Sequence, residues 1–215
     1  MKSRWLAPVL TAAMWIFALA VYPALPQRMA SHWNVRGEVD GWMEKPWGAV
    51  MMPLMATGML ALLWLLRRID PRARNIERFR EEWFLLINLI FLLFAVLEVV
   101  MLGHALGWPV SVDTVVPVAI GLLLVGVGNY LPRIRSNWFM GIRTPWTLDN
   151  ERVWRATHRV GGRTFVAAGI VMMLSALLPP DARTVAMIAV GVLGAGVPLV
   201  YSYVAYRRDA AGRPL

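Results

Sequence analysis

Long apolar runs, broken by short charged segments, set the pattern of this chain. Six runs reach or approach the roughly 20 helical residues that cross a hydrocarbon core. They are Leu6–Ala24, Trp47–Leu66, Phe84–Gly103, Thr114–Leu131, Thr164–Leu178 and Thr184–Tyr206. The pattern predicts an all-α, polytopic membrane protein with about six transmembrane helices. The first run has a basic start, Lys2 and Arg4, and an Ala18-Leu19-Ala20 triplet like a signal-peptide cleavage site. The apolar run continues past that triplet and exceeds the usual signal core of about 7–15 residues, so a retained helix is expected.

Composition agrees: 58% of residues are hydrophobic, 16% are charged, and the mean hydropathy is +0.54. The net charge of +9 and the pI of about 11.0 would suggest nucleic-acid binding in a soluble protein. Here the basic residues sit at the ends of apolar runs, which is the signature of membrane topology. With both termini in the cytoplasm, 18 of the 22 Lys and Arg residues fall on the inner side. Only Arg28, Arg36, Lys45 and Arg183 fall outside. The positive-inside rule therefore predicts an N-in/C-in membrane protein, and topology rather than a direct nucleic-acid partner accounts for the basic charge. There is no cysteine, so disulfides and thiolate metal sites are excluded.

The connections differ in chemistry. The outer loop Leu25–Trp47 carries Pro26, Gly37 and an Asp40-Gly41 turn dipeptide. His32, Asp40 and Glu44 match no helix-based metal-ligand spacing. The expectation is a structured cap with Trp33, Trp42 and Trp47 at the headgroup level. The inner loop Arg67–Glu82 has like charges at i, i+4 and reads as a solvated connector that anchors to anionic lipid. In the third run Glu98 is the one acid deep in a spanning segment. Such a residue is a functional candidate by default, as a hydrogen-bonded acid, an ion site or a proton relay.

The most distinctive stretch is Asn129–Gly162, NYLPRIRSNWFMGIRTPWTLDNERVWRATHRVGG. It mixes tryptophans with arginines and shape-defining prolines and glycines, as a folded segment lying on a membrane surface would. Thr147 is a candidate helix cap, with Asp149 and Glu151 in the first turn. Val153, Ala156, Thr157 and Val160 follow at helical spacing, with Arg152, Arg155 and Arg159 on another face. Gly161-Gly162 is expected to stop this short amphipathic interfacial helix, between the fourth and fifth spans. Trp154 and His158 share one patch at i, i+4. The chain has no zinc-protease, nucleophile-elbow or phosphate-loop motif, so no enzyme, cofactor or metal is expected.

The ordered motif Asn129-Tyr130-Leu131-Pro132, then Asn137 to Leu148, then Val153-Trp154-Arg155-x-Thr157-His158-Arg159-x-Gly161-Gly162 resembles the signature of the SdpI family of bacterial membrane proteins. Leu25-Pro26, His32-Trp33-Asn34, Gly37 and Asp40-Gly41 are similar to a domain of unknown function that often precedes it. The resemblance implies a two-helix module over residues 1–66 and an SdpI-like membrane domain over 67–215, with its motif loop at 129–163. It implies immunity against a membrane-active peptide toxin and, in the founding member, signalling through a repressor held at the membrane. It implies functional roles for Asn129, Pro132, Asn137, Gly141, Arg143, Thr144, Pro145, Trp146, Trp154, His158, Gly161 and Gly162. His32, Asn34, Gly37, Asp40 and Gly41 become candidates for toxin recognition on the outer face. The alternative is a small transporter or channel-like protein that uses Glu98.

Overall fold

The computed structural model describes the backbone of residues 1–215 and every side chain but that of Ala73. Helix α1 (Leu6–Val21) leads into a hairpin of β1 (Arg28–Trp33) and β2 (Val39–Glu44). Helices α2 (Lys45–Ile69), α3 (Ala73–Arg78), α4 (Arg80–Ala105) and α5 (Val112–Tyr130) follow. After an irregular segment come α6 (Pro145–Asp149), α7 (Glu151–Ser175), α8 (Pro180–Gly191) and α9 (Val197–Ala210). A π-helical segment, Val192–Gly196, joins α8 to α9, so helix continues from Pro180 to Ala210. The protein is an all-α polytopic membrane protein.

Apolar residues cover the outside of the bundle as well as its core. Small residues such as Ala7, Ala18, Ala49 and Ala56 sit inside, while Ile16, Leu19, Leu177, Ile188 and Val200 point outward. Lipid is as apolar as leucine, so helix association in a membrane rests on close packing through small residues. Antiparallel α5 and α7 show this most plainly. A Cβ built on Gly128 would lie 2.6 Å from the Gly162 carbonyl oxygen, and one on Gly169 would lie 2.5 Å from that of Gly121. Glycine at these positions lets two backbones touch.

Five described helical segments are long and apolar enough to cross a membrane: Leu6–Ala24, Lys45–Ile69, Arg80–Ala105, Val112–Arg133 and Pro180–Ala210. The predicted fifth run, Thr164–Leu178, is not one of them. Its residues through Ser175 belong to α7, whose 25 residues cover roughly 37 Å at 1.5 Å per residue, so α7 runs from one end of the bundle to the other and its polar first half, not its length, sets it apart from the five. The run forms the lipid-side part of α7, and the amphipathic helix expected before it forms the other part. Gly161-Gly162 therefore does not end a helix, which corrects the expected stop. Both glycines are buried mid-helix, where contact with Pro132, Leu131 and Gly128 replaces solvent.

The helix ends gather at two poles. At one lie the N-terminus, α3, the 131–150 segment and the end of α9. There the Asn88 amide donates to the carbonyls of Met1 and Ser3, and the Asn150 amide donates to Asp209. At the other lie the hairpin, the α4–α5 turn and the α7–α8 turn. There Arg183 pairs with Asp113 at 3.0 Å, and Trp33 meets His104 edge-on.

Candidate functional site

The predicted motif folds as a plug on the polar half of α7. Asn137, fully buried, organises the turn. Its Oδ1 accepts from the N–H groups of Phe139 and Met140, at 2.9 and 2.7 Å. Its Nδ2 donates to the carbonyls of Arg135 and Met140. An irregular buried loop needs such internal partners, because unpaired backbone groups there would be costly. The loop then enters α6 through a capping box: Thr144 and Thr147 satisfy each other's backbone N–H, with Pro145 at the first helical turn. Thr144, rather than the predicted Thr147, is the cap. Helix α7 has its own cap in Asn150, whose Oδ1 accepts from Arg152 and Val153.

At the centre lies His158, with no exposed surface. Its Nε2 accepts from the Ile142 N–H at 3.0 Å, so Nδ1 carries the proton and donates to the Trp154 carbonyl at 2.8 Å. Burial holds the imidazole pKa down at about 4, partly opposed by the hydrogen bond to the Trp154 carbonyl. The ring is thus a neutral spacer at physiological pH. Trp154 stacks on it at 4.1 Å and donates its indole N–H to the Ile134 carbonyl at 2.8 Å. Gly141, at φ +117°, closes the far side. A Cβ there would come within 2.4 Å of His158 Nε2 and 3.2 Å of the Trp154 ring. Gly161 makes room for Ile142 and Leu131.

The structure thus brings Asn137, Gly141, Thr144, Trp154, His158, Gly161 and Gly162 into one packed unit. Asn129, Pro132, Arg143 and Pro145 remain on its surface. Arg143 reaches back to the Trp138 carbonyl, and Trp146 links α6 to α9 through a 2.6 Å hydrogen bond to Ser202 and edge contact with Tyr203. Arg155, Arg159 and Arg163 form an exposed cationic face, while Arg152 pairs with Asp209. Every polar atom of the His158 ring and the Asn137 amide is used in internal hydrogen bonds. The arrangement holds a shape, with both ring nitrogens of the histidine taken by backbone groups.

The sequence reading missed one half of this unit. The supposed solvated connector after α2 is folded against the plug. Asp70 is buried and accepts from the N–H groups of Arg72 and Trp138. Arg72 donates to Ser136 and to the Leu148 carbonyl, and Asn75 donates to the Ser136 carbonyl. Ile76, Phe79 and Trp83 are buried. Their i, i+3, i+7 spacing was the available signal, masked by the surrounding arginines.

At the opposite pole, the outer-loop candidates form a β-hairpin rather than a set of metal ligands. Glu44 pairs in register with Arg28, away from His32. His32 Nδ1 lies 2.6 Å from Asp40, and both side chains are exposed. Asn34 shapes the turn, its Oδ1 accepting from Arg36 and Glu38, and Gly37 supplies φ +80°. Gly41 lies across from His32, where a Cβ would meet the histidine at 2.7 Å. Asn34, Gly37 and Gly41 therefore build the hairpin that displays His32 and Asp40. Glu98 stands apart from both poles. It is 1% exposed on α4, and its Oε1 has no hydrogen-bond partner.

Together the lipid-facing exterior, the exposed hairpin and the plug define a polytopic helical membrane protein with a rigid motif unit at one pole. Residues 133–202 match the model of the SdpI/YfhL protein family. Residues 9–57 match a domain of unknown function, DUF1648. The chain is 22% identical over 210 residues to the immunity protein SdpI of Bacillus subtilis (strain 168), covering 97% of this chain and 98% of that protein. No solved structure matches it.

Proposed function

We propose that the chain is an SdpI-type immunity protein of the bacterial inner membrane, which protects its cell from a membrane-active peptide toxin. The observation that carries this reading is likeness to an immunity protein along nearly the whole chain, both poles included. The hairpin faces outward and meets the toxin with His32 and Asp40. Both termini and the plug face the cytoplasm, in line with the excess of arginine at that pole. The exposed face of Arg155, Arg159 and Arg163 is where a cytoplasmic repressor would dock in a signalling member.

Deletion of the gene sensitises the cell to a cognate membrane-active peptide, and the wild-type gene restores protection. The double substitution His32→Ala, Asp40→Ala lowers protection while the protein stays in the membrane. Equal survival of deletion and wild-type cells against a panel of such peptides would refute immunity. Full protection by the double variant would refute the hairpin's role.

A second reading, a small transporter, draws on the unpartnered buried Glu98. It requires proton or cation flux in liposomes that disappears in Glu98→Gln.

A further inference from the structure

A cavity of about 410 Å³ opens between α1, α2 and α4 at the arginine-rich pole. This is within the range of about 300–1,000 Å³ common for small-molecule sites. Leu60, Leu63 and Trp83 line its apolar interior, and Arg4, Arg67 and Arg68 stand at its rim. Among the described residues no acidic side chain lines it. Arg67 is committed to Glu77. Arg68 rests on the face of Trp64 at 3.6 Å and Arg4 on that of Trp5 at 5.0 Å. An aromatic ring leaves a guanidinium its charge and its N–H donors, which remain available to an anion. Arg4 is further fixed because the buried Asn88 amide grips the carbonyls of Met1 and Ser3 just before it.

We propose that this cavity is a binding site for one anionic glycerophospholipid of the surrounding bilayer. Its acyl chain fills the apolar interior, and its phosphate sits on Arg4 and Arg68. Charge complementarity selects the occupant. A greasy interior alone would take any hydrocarbon, but the guanidinium groups of Arg4 and Arg68, just before the start of α1 and in the last turn of α2, favour a negative headgroup. Basic pockets between spanning helices commonly hold such lipids. The site does not depend on the immunity reading, since it needs only a bilayer.

The test is native mass spectrometry of the full-length protein, purified in detergent and titrated with phosphatidylglycerol, phosphatidylcholine or glycerol phosphate. The site requires phosphatidylglycerol to be retained about tenfold more strongly than phosphatidylcholine. Arg4→Gln with Arg68→Gln should erase that preference. Leu63→Trp, a partly exposed position that can take a larger ring, should fill the cavity and weaken retention of both lipids. Glycerol phosphate should not compete. Equal retention of the two lipids, an undiminished preference in the arginine variant, unchanged retention in Leu63→Trp, or competition by glycerol phosphate as a free anion would each overturn the proposal.

Discussion

Replacing Gly141 with alanine tests whether the motif is a packed unit or a loose surface loop. Two costs are separable. The first is backbone: φ +117° is a region that L-residues seldom enter, and holding one there costs about 1–3 kcal/mol. The second is steric. The new Cβ would lie 2.4 Å from His158 Nε2, and the ring cannot swing away because it is fully buried and stacked on Trp154. Shifting it breaks the hydrogen bond from the Ile142 N–H, leaving a buried donor unpaired at about 1–3 kcal/mol. The expected loss is about 2–6 kcal/mol, a large part of a typical stability of about 5–15 kcal/mol. Gly107→Ala is the matched control. Gly107 also has positive φ, +77°, but no atom lies within 4 Å of its built Cβ. It should carry only the backbone cost, about 1–2 kcal/mol. Unfolding of both variants in detergent, followed by tryptophan fluorescence, gives the comparison. Equal losses would refute the packed histidine.

Two further outcomes follow from buried polar groups. His158 has a folded-state pKa near 4 against an ordinary value of 6.5, so the unfolded chain binds its proton first as pH falls. Its contribution is complete above pH 6.5 and is lost between 6.5 and 4, on the order of 3 kcal/mol in all. The slope of stability against pH over that window should fall in His158→Gln; an unchanged slope would mean that the ring is not the group responsible. Glu98 makes no hydrogen bond through a buried oxygen, so Glu98→Leu should raise thermal stability, by about 1–3 kcal/mol. A marked loss would show that the carboxyl has a partner in the native membrane.

Apolar run length and arginine placement made the membrane class and most spans readable from the chain alone, because each spanning helix satisfies its own backbone and needs no distant partner. The amphipathic face of Val153, Ala156 and Thr157 was equally local and equally readable. What needed the fold were facts about neighbours. Gly161-Gly162 looks like a stop signal in one dimension, yet opposite Gly128 and Pro132 it is the place where two helices touch. Asp70 and Arg72 look like solvated charges until Trp138 and Ser136 come beside them. His158 suits a hydrogen-bonded structural role in the sequence, but its partners, Ile142 and Trp154 at the two ring nitrogens, appear only in the fold. Helix formation and lipid preference are properties of contiguous residues. Close approach and hydrogen-bond partnership depend on residues far apart in sequence, so only the tertiary structure could assign them.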